Sequence, residues 1–426
     1  MSLRDIVLTV MILVAGAYAL RRAWAGVLFW TWISVMNPHR YTWGFLYSAP
    51  VAAFAGGIAL LGLVFTKERR SPFIGTPVII FALFIAWMTL SWLMGHDVSG
   101  DYFQWNKCVK IYLMIFVTIA LLQTKEHIMA FAWVLVGSLA VLGAKGGLFT
   151  LATLGNFRVW GPPGSFIEDN NEFALALIMT IPLIYFLQLQ VTSKIWRNVL
   201  SIVMLLCAAS ALGSYSRGAL LAIIAMGGMF WWRSPGKKKG EVTILILIVA
   251  ATMVPMLPEE WWARMNTISE YQTDGSAMGR INAWGVAWEV ALHNLFGGGM
   301  SYQHLDYYLL YAKYDHIVRA AHSIYFQILG NHGFIGLLLF LLLWITTYRE
   351  AGWLRKNARN ESHTLWAAQL GAMAQVSLVG YVVGGAFLSL GYFDLPYNIM
   401  ALVVMTKKWF MSQTEGSQKS KLIKKF

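Results

Sequence analysis

Three residues in the second half of the chain have side chains suited to moving a group from a phosphate to a hydroxyl. Arg217 lies in GSYSRGALLA, Arg280 in SAMGRINAWG and His322 in RAAHSIY. A guanidinium carries several donors in a planar fork, with a charge that does not titrate away, and therefore suits a diphosphate. An imidazole accepts or donates a proton near neutral pH. Each residue also has a plainer interpretation, an arginine reaching lipid phosphate or a histidine that only forms structural hydrogen bonds.

The elements that must position these residues are predicted to be membrane helices. The 426 residues are 58% hydrophobic and 12% charged, with a mean hydropathy of +0.57. Soluble proteins are about one quarter charged. Apolar windows of roughly 17 to 25 residues, the length that crosses a bilayer, recur along the chain. We therefore expect an all-α polytopic membrane protein.

About twelve transmembrane helices are expected. If both of the first two segments cross, the amino terminus is outside; if one lies flat or re-enters, twelve spans remain with both ends inside, which is the count we expect. The candidate spans are Ile6–Leu20, Ala23–Met36, Ser48–Phe65, Ile74–Met94, Cys108–Leu122, Ile128–Leu151, Glu172–Leu189, Trp196–Leu212, Ser216–Trp232, Glu241–Met256, Ile324–Tyr348, Leu365–Ser389 and Pro396–Trp409.

The basic residues indicate the orientation. The formal charge of +13 is spread in short clusters over every second connection, which predicts a cytoplasmic position for those connections and argues against nucleic-acid binding. The long polar stretch Pro258–Tyr325 holds more acids than bases up to Ala321 and is therefore expected outside. The chain divides into an amino-terminal bundle at 1–256, an external helical loop at 257–322, carboxy-terminal spans at 323–410 and a basic tail at 411–426.

Within the external loop, apolar residues recur at helical spacing from Gly279 to His293. This predicts an amphipathic helix at the membrane surface, with Arg280 in its first turn, where free amides and the helix dipole also attract anions. The GGGM sequence at 297–300 is expected to break the helix. His322 lies where the loop enters the span beginning at Ile324. Four further histidines lie near it in sequence: His293, His304, His316 and His332.

A second external stretch, RVWGPPGSFIEDNNEFALA, runs from Arg158 to Ala176. Its Pro and Gly residues stop one helix, and its EDNN run can cap the next. The polar groups here match sugar hydroxyls or a phosphate, and no carboxylate spacing marks a glycosidase pair. Lys145, in GAKGG, is expected to be a buried cation facing the external half of a cavity. The predicted substrate-binding residues are Arg158, Lys145, Asn171, Glu168 and Tyr325.

Several other classes of function are disfavoured. Cys108 and Cys207 both lie in apolar segments, which suggests neither a disulfide framework nor a cysteine metal site. No HExxH or comparable ligand spacing implies a metal, and we expect no cofactor. The absence of a sequence repeat with matching broken helices weakens a transporter or lipid-glycan flippase interpretation without removing it.

The order of these motifs resembles the O-antigen ligase and O-antigen polymerase superfamily. The shared features are a large external loop near the carboxyl end, Arg217 in SRGA, Arg280 on the loop helix, and the HSxY sequence formed by His322 and Tyr325. The stretch GGLFTLATLGNFRVWGPPGSFIEDNNEFALAL is similar to the branch of O-glycosylation ligases associated with exosortase systems. The resemblance covers nearly the whole chain through short motifs in a common order.

The resemblance implies a GT-C type membrane glycosyltransferase of the bacterial inner membrane. It would move a glycan from undecaprenyl diphosphate to an acceptor at the periplasmic face, with inversion and without metal or nucleotide sugar. Arg217 and Arg280 match positions that bind the lipid diphosphate, and His322 matches the reaction centre. Asn171 matches the family's Asn, although the usual preceding Pro is Asn170 here.

The acceptor distinguishes the possible reactions. A ligase uses a lipid A-core sugar, an O-antigen polymerase uses the growing glycan, and a protein O-oligosaccharyltransferase uses a protein hydroxyl. One compact external loop without an additional soluble domain favours ligation to the lipid A-core. The expected partners are therefore the undecaprenyl diphosphate-linked glycan, the lipid A-core oligosaccharide and membrane lipid.

Overall fold

The computed structural model describes residues 2–233 and 275–423, with residues 239, 240, 243 and 259 between them. The predicted span Glu241–Met256 and the beginning of the predicted loop, as far as Asp274, lie largely outside the described residues. Within the described part all regular structure is helical, as the sequence predicts. The α-helices are α1 Leu3–Arg21, α2 Ala23–Met36, α3 Val51–Phe65, α4 Thr76–Leu93, α5 Tyr102–Leu121, α6 Lys125–Ala152, α7 Asn170–Gln190, α8 Lys194–Leu212, α9 Arg217–Arg233, α10 Gly275–His293, α11 Leu305–Tyr311, α12 Ile324–Asn357, α13 Leu365–Gly384 and α14 Asp394–Ile423.

Seven of the described helices are long and apolar enough to cross a membrane, and two shorter helices, α2 and α3, are also apolar. The protein is therefore a polytopic membrane protein, and the count of twelve stays a prediction. Helices α1 and α2 form an antiparallel hairpin, because Arg4 at the start of α1 donates to the carbonyl of Tyr41, just beyond the end of α2. This is the arrangement expected if both segments cross.

The two ends of the bundle differ chemically. The basic connections lie together at one end. There the side chain of Gln123, after α5, donates to the carbonyl of Glu68, after α3. Lys407 of α14 pairs with Glu350 of α12 at 3.2 Å. Arg217, at the start of α9, lies at the opposite end. The alternation of basic connections predicts that the first end is cytoplasmic.

Helices α6 and α8 approach closely because small residues line the contact. A Cβ on Gly143 would lie 2.5 Å from Sγ of Cys207, and one on Gly147 would overlap the backbone of Leu206. Small residues allow such close helix packing in membranes. Lys145, between these glycines, must therefore point away from α8 and is exposed. The prediction that Lys145 is a buried cation is wrong, because the glycines occupy the buried face.

Some helices, α5 and α14 among them, are longer than hydropathy predicts. Helix α5 begins at Tyr102 rather than Cys108, since the amide of Trp105 already donates to the carbonyl of Asp101. Helix α14 continues to Ile423, well beyond the predicted end at Trp409. Hydropathy detects the part of a helix that suits hydrocarbon, whereas the backbone hydrogen bonds continue through polar residues as well.

A break in α12 anchors the external loop. Gly333 has φ 65° and ψ −172° inside this helix, so helical hydrogen bonding is interrupted there. The carbonyls of Gly330 and Asn331 accept instead from the amides of Gly298 and Gly299, at 2.8 and 3.0 Å. The loop thus satisfies backbone groups that would otherwise be unpaired at membrane depth.

Side chains hold the same loop from two directions. Asp101 accepts from the amides of Met300 and Ser301, at 2.7 and 3.1 Å. The side chain of Asn331 donates to the carbonyl of Met300 and to the hydroxyl of Tyr392. This hydroxyl also lies 2.7 Å from Nε2 of His332, which is fully buried. His332 therefore belongs to the helix break.

We predict that Asp101→Ala lowers thermal stability. The change leaves two buried amides without their acceptor, at a cost of about 1–3 kcal/mol for each unpaired group. The melting temperature of the purified full-length protein is the measurement. Asp101→Asn, which keeps one acceptor oxygen, is expected to lose less, and an equal loss in both variants would contradict this explanation.

Candidate active site

The amino terminus of α7 begins with the cap that the EDNN run predicts. Oδ1 of Asp169 accepts from the amide and from the side-chain nitrogen of Asn171, both at 2.8 Å. The buried side chain of Asn170 donates to the carbonyl of Ser214 at 2.5 Å. Since Ser214 lies just before α9, this bond fixes the start of α7 beside the start of α9.

A carboxyl pair forms at this helix start. The side chains of Asp169 and Glu172 hydrogen-bond to each other. Two carboxyl groups can do so only when one of them carries a proton. Oε2 of Glu172 is buried and has no hydrogen-bond partner in the part of the chain that the structure describes. The pair thus holds one shared proton at the start of α7.

His322 lies on a constrained piece of backbone. Its φ of 42° is in the left-handed region, which a residue with a side chain rarely adopts. Its amide donates to Oγ of Ser389 at 3.1 Å, from the segment between α13 and α14. Next along the chain, Ser323 and Ile324 begin α12 and are both buried. The bond to Ser389 therefore fixes the backbone of His322 at the start of α12, next to the segment between α13 and α14.

The electrostatic environment keeps His322 neutral and Asp169 charged. Burial lowers the pKa of His322, the charge of Arg280 lowers it further, and Asp169 partly opposes both. Burial acts to raise the pKa of Asp169, but hydrogen bonds from Glu172 and Asn171 and the charge of His322 lower it overall. Near neutral pH the site therefore presents a neutral imidazole next to a carboxylate.

Arg280 reaches the same cluster from α10. Its charge acts on both His322 and Glu172. Because α10 begins at Gly275, Arg280 lies in the second helical turn, and the prediction of a first-turn position is wrong. The sequence pattern placed the start at the first apolar repeat, four residues late. Arg280 thus acts through its own charge more than through the free amides at the helix end.

Two side chains of α10 hold it against the segment that leads to His322. The buried Asn282 donates to the carbonyl of Asp315 at 2.7 Å and accepts from the amide of Lys313 at 3.0 Å. The indole of Trp284 donates to the carbonyl of Ala321 at 2.7 Å, one residue before His322. These bonds fix the position of the helix that carries Arg280 relative to His322.

Arg217 joins this end of the bundle as the first residue of α9 and is half-buried. A Cβ on the next residue, Gly218, would lie 3.4 Å from Cβ of Phe387. Phe387 is two residues before Ser389, the hydrogen-bond partner of His322. The segment 385–389 therefore contacts both the start of α9 and the turn that carries His322.

The other predicted residues occupy different positions. Arg158 is exposed, with its guanidinium carbon 5.7 Å from the ring centroid of Tyr215. Glu168 is also exposed and accepts from the amide of Gly164 at 2.8 Å. The Tyr325 hydroxyl donates to the carbonyl of Val382 at 2.8 Å. Asn171 hydrogen-bonds to Asp169, as described above.

Lys145 lies with its ammonium 4.1 Å from the ring centroid of Tyr41, in a separate group near the start of the chain. The residues that the sequence reasoning did not assign to the site are Asp169, Glu172, Asn282, Trp284 and Ser389. The only signal in the sequence was the EDNN run, which indicated a helix cap.

We predict that two charge-removing variants move the pKa of His322 in opposite directions. Arg280→Gln removes a cation and should raise the pKa, whereas Asp169→Asn removes an anion and should lower it. The measurement is an NMR titration of histidine-labelled protein, with the His322 signal identified by its loss in His322→Gln. Shifts in the same direction would show that Arg280 and Asp169 do not act on His322 through their charges.

Two family models match parts of the chain. Residues 202–341 match the O-antigen ligase family, and residues 3–212 match a family of unknown function. No curated protein matches the chain. The association with exosortase systems stays a prediction. The ligase match spans about one third of the chain and contains Arg217, Arg280 and His322, so this part of the protein is similar to the O-antigen ligase family.

Proposed function

We propose that the protein is an O-antigen ligase, which transfers a glycan from undecaprenyl diphosphate to a lipid A-core hydroxyl at the periplasmic face of the inner membrane. The observation that carries the proposal is the coupling of Arg280, His322 and Asp169 through their charges. Arg280 and His322 lie within the ligase match, whereas Asp169 lies before it in the chain, at the start of α7. The cluster combines an anion-binding group with a proton acceptor.

Arg217 and Arg280 bind the diphosphate of the donor. As the bond between the anomeric carbon and the phosphate oxygen breaks, its electron pair moves to the diphosphate, whose charge increases. Guanidinium groups already in position stabilise this developing charge more than they stabilise the bound donor. Their task is therefore to favour departure of the lipid diphosphate.

His322 accepts the proton of the attacking hydroxyl. The hydroxyl oxygen bonds to the anomeric carbon on the face opposite the departing phosphate, which inverts this carbon. The pKa lowering by burial and Arg280 supports this role, because only a neutral imidazole can take the proton. Asp169 then stabilises the imidazolium that forms, as a carboxylate does beside a catalytic histidine.

The remaining site residues bind the sugars and hold the machinery in position. Glu172 holds Asp169 at the start of α7 through the hydrogen bond between their carboxyl groups. Asn171 keeps Asp169 in place through its two hydrogen bonds. Arg158 and Glu168 are exposed on the segment that precedes α7, where a long glycan can reach them. Tyr325 fixes the first turn of α12 to α13.

We predict that Arg217→Ala, Arg280→Ala and His322→Ala each reduce glycan transfer by roughly 100-fold or more, since each removes charge stabilisation or proton transfer. Transfer is measured with purified protein and lipid-linked glycan, and correct insertion is checked by expression level and size-exclusion profile. Arg349→Ala is the matched control, because Arg349 is an exposed arginine near the opposite end of α12. Normal transfer by Arg280→Ala would remove the external helix from the mechanism.

The acceptor is tested by offering alternatives to the same preparation. Purified protein and undecaprenyl diphosphate-linked glycan are incubated separately with lipid A-core, with a second lipid-linked glycan and with a protein acceptor. The ligase proposal predicts product with lipid A-core. Product with the second glycan alone would indicate a polymerase, and product with protein alone would indicate a protein O-oligosaccharyltransferase. Movement of the donor across the bilayer without any product would indicate a flippase.

A further inference from the structure

Three cations form a group of their own, which we call the cationic patch: Arg4, Arg40 and Lys145. Each lies over an aromatic ring. The guanidinium carbon of Arg4 is 4.2 Å from the ring centroid of Trp43, and that of Arg40 is 5.2 Å from the ring of Tyr47. The ammonium of Lys145 is 4.1 Å from the ring of Tyr41. The rings hold the cations in place without neutralising them.

The cationic patch lies at the same end of the bundle as the candidate active site. Lys145 is about two turns before the end of α6, and the chain then runs through 153–168 to Asp169. A Cβ on Gly164 in this segment would lie 3.6 Å from Nη2 of Arg40. One connecting segment therefore contacts the patch and leads into the active site.

The three cations of the patch outnumber the two nearby carboxylates of the described chain, which are the buried Asp5 beside Gly44 and Glu168, whose carboxylate accepts from the amide of Gly164 next to Arg40. The charge of Arg4 acts on Lys145, so two like charges lie close together. Among the described residues no carboxylate forms an ion pair with Arg4, Arg40 or Lys145. Like charges in proximity raise the free energy of the site unless an anion is bound. The arrangement favours a ligand with more than one negative charge.

An apolar groove of about 420 Å³ runs along α2 and α6 beside the patch. Its lining includes Met36 at the end of α2 nearest Tyr41, and Val141, one turn before Lys145. Trp32 and Trp133 form part of its walls. A Cβ on Gly137, also in the lining, would meet no other atom within 4 Å. The groove thus offers an acyl chain a path into the bilayer from the patch.

Charge and groove together identify the kind of ligand. A phosphomonoester carries about 1.5 to 2 negative charges near pH 7, whereas a phosphodiester carries only one. Three cations above an apolar groove therefore match a lipid whose head group ends in a phosphomonoester. Ordinary phosphodiester lipids would gain less from the same site.

We propose that the cationic patch and the groove form a binding site for a phosphomonoester lipid, which presents the lipid-anchored acceptor to the active site. The presentation step rests on the proposed ligase function, whereas lipid binding does not. The phosphate lies among Arg4, Arg40 and Lys145. One acyl chain lies in the groove past Gly137.

The first test measures lipid binding to the full-length protein by native mass spectrometry, with phosphatidic acid as the phosphomonoester probe and phosphatidylglycerol as the phosphodiester probe. Arg4→Gln/Lys145→Gln should bind phosphatidic acid roughly 10-fold to 30-fold more weakly, because two surface cations are lost. The matched control is Lys110→Gln/Lys313→Gln, which removes two exposed cations elsewhere. Arg4→Lys keeps the charge and should therefore retain phosphatidic acid binding. This variant tests the patch even where the double variant fails to fold.

The second test fills the groove without changing any charge. Gly137→Leu places a side chain in the groove, and Gly228→Leu places the same side chain at another open helix position. Only Gly137→Leu should weaken phosphatidic acid binding. Equal binding of the two lipids, equal losses in patch and control variants, or unchanged binding by Gly137→Leu would each overturn the proposed site.

These measurements do not require glycan transfer. Loss of lipid selectivity with transfer intact would refute the lipid site alone. Selective lipid binding by a protein that transfers no glycan to any acceptor would refute the ligase proposal alone.

Discussion

The hydrocarbon core of a bilayer offers no hydrogen bonds to a polypeptide backbone, and this constraint organises the whole structure. Helices satisfy their own amides and carbonyls, so irregular backbone must either leave the bilayer or be buried in protein. The break at Gly333 shows the second solution, because loop amides at Gly298 and Gly299 replace the missing helical donors. The loop before α12 is thereby fixed to the bundle.

The loop attachment has a direct consequence for the chemistry. Asn282 and Trp284 hold the helix of Arg280 against the segment before His322, while Ser389 holds His322 from the opposite side. A catalytic group needs a position accurate to a fraction of an ångström, which a free loop cannot supply. The hydrogen bonds of Ala321 to Trp284 and of His322 to Ser389 restrict the backbone at this position.

The site also separates charges that would otherwise neutralise one another. Arg280 acts on both His322 and Glu172, yet Glu172 hydrogen-bonds to Asp169. The shared proton reduces the negative charge near Arg280. A carboxylate remains beside His322 at the same time. One compact cluster therefore combines a guanidinium with an imidazole and a carboxylate beside it.

The sequence by itself determined the class of fold, since helices spanning hydrocarbon require long apolar segments that composition and hydropathy reveal. It also singled out Arg217, Arg280 and His322 as candidates, because a guanidinium suits a diphosphate and an imidazole can transfer a proton near neutral pH. Local spacing further indicated the cap at Asp169. Each of these features depends on neighbours in the chain.

Only the tertiary structure decided which distant residues meet. Asp169 looked like a helix-capping residue, and the coupling of Asp169 to His322 and of Glu172 to Arg280 depends on packing between segments over one hundred residues apart. Lys145 looked buried because its segment is apolar, but the glycines around it occupy the contact with α8. Hydropathy averages over a helix and cannot tell which face is buried. That choice depends on the neighbouring helix, which only the folded chain supplies.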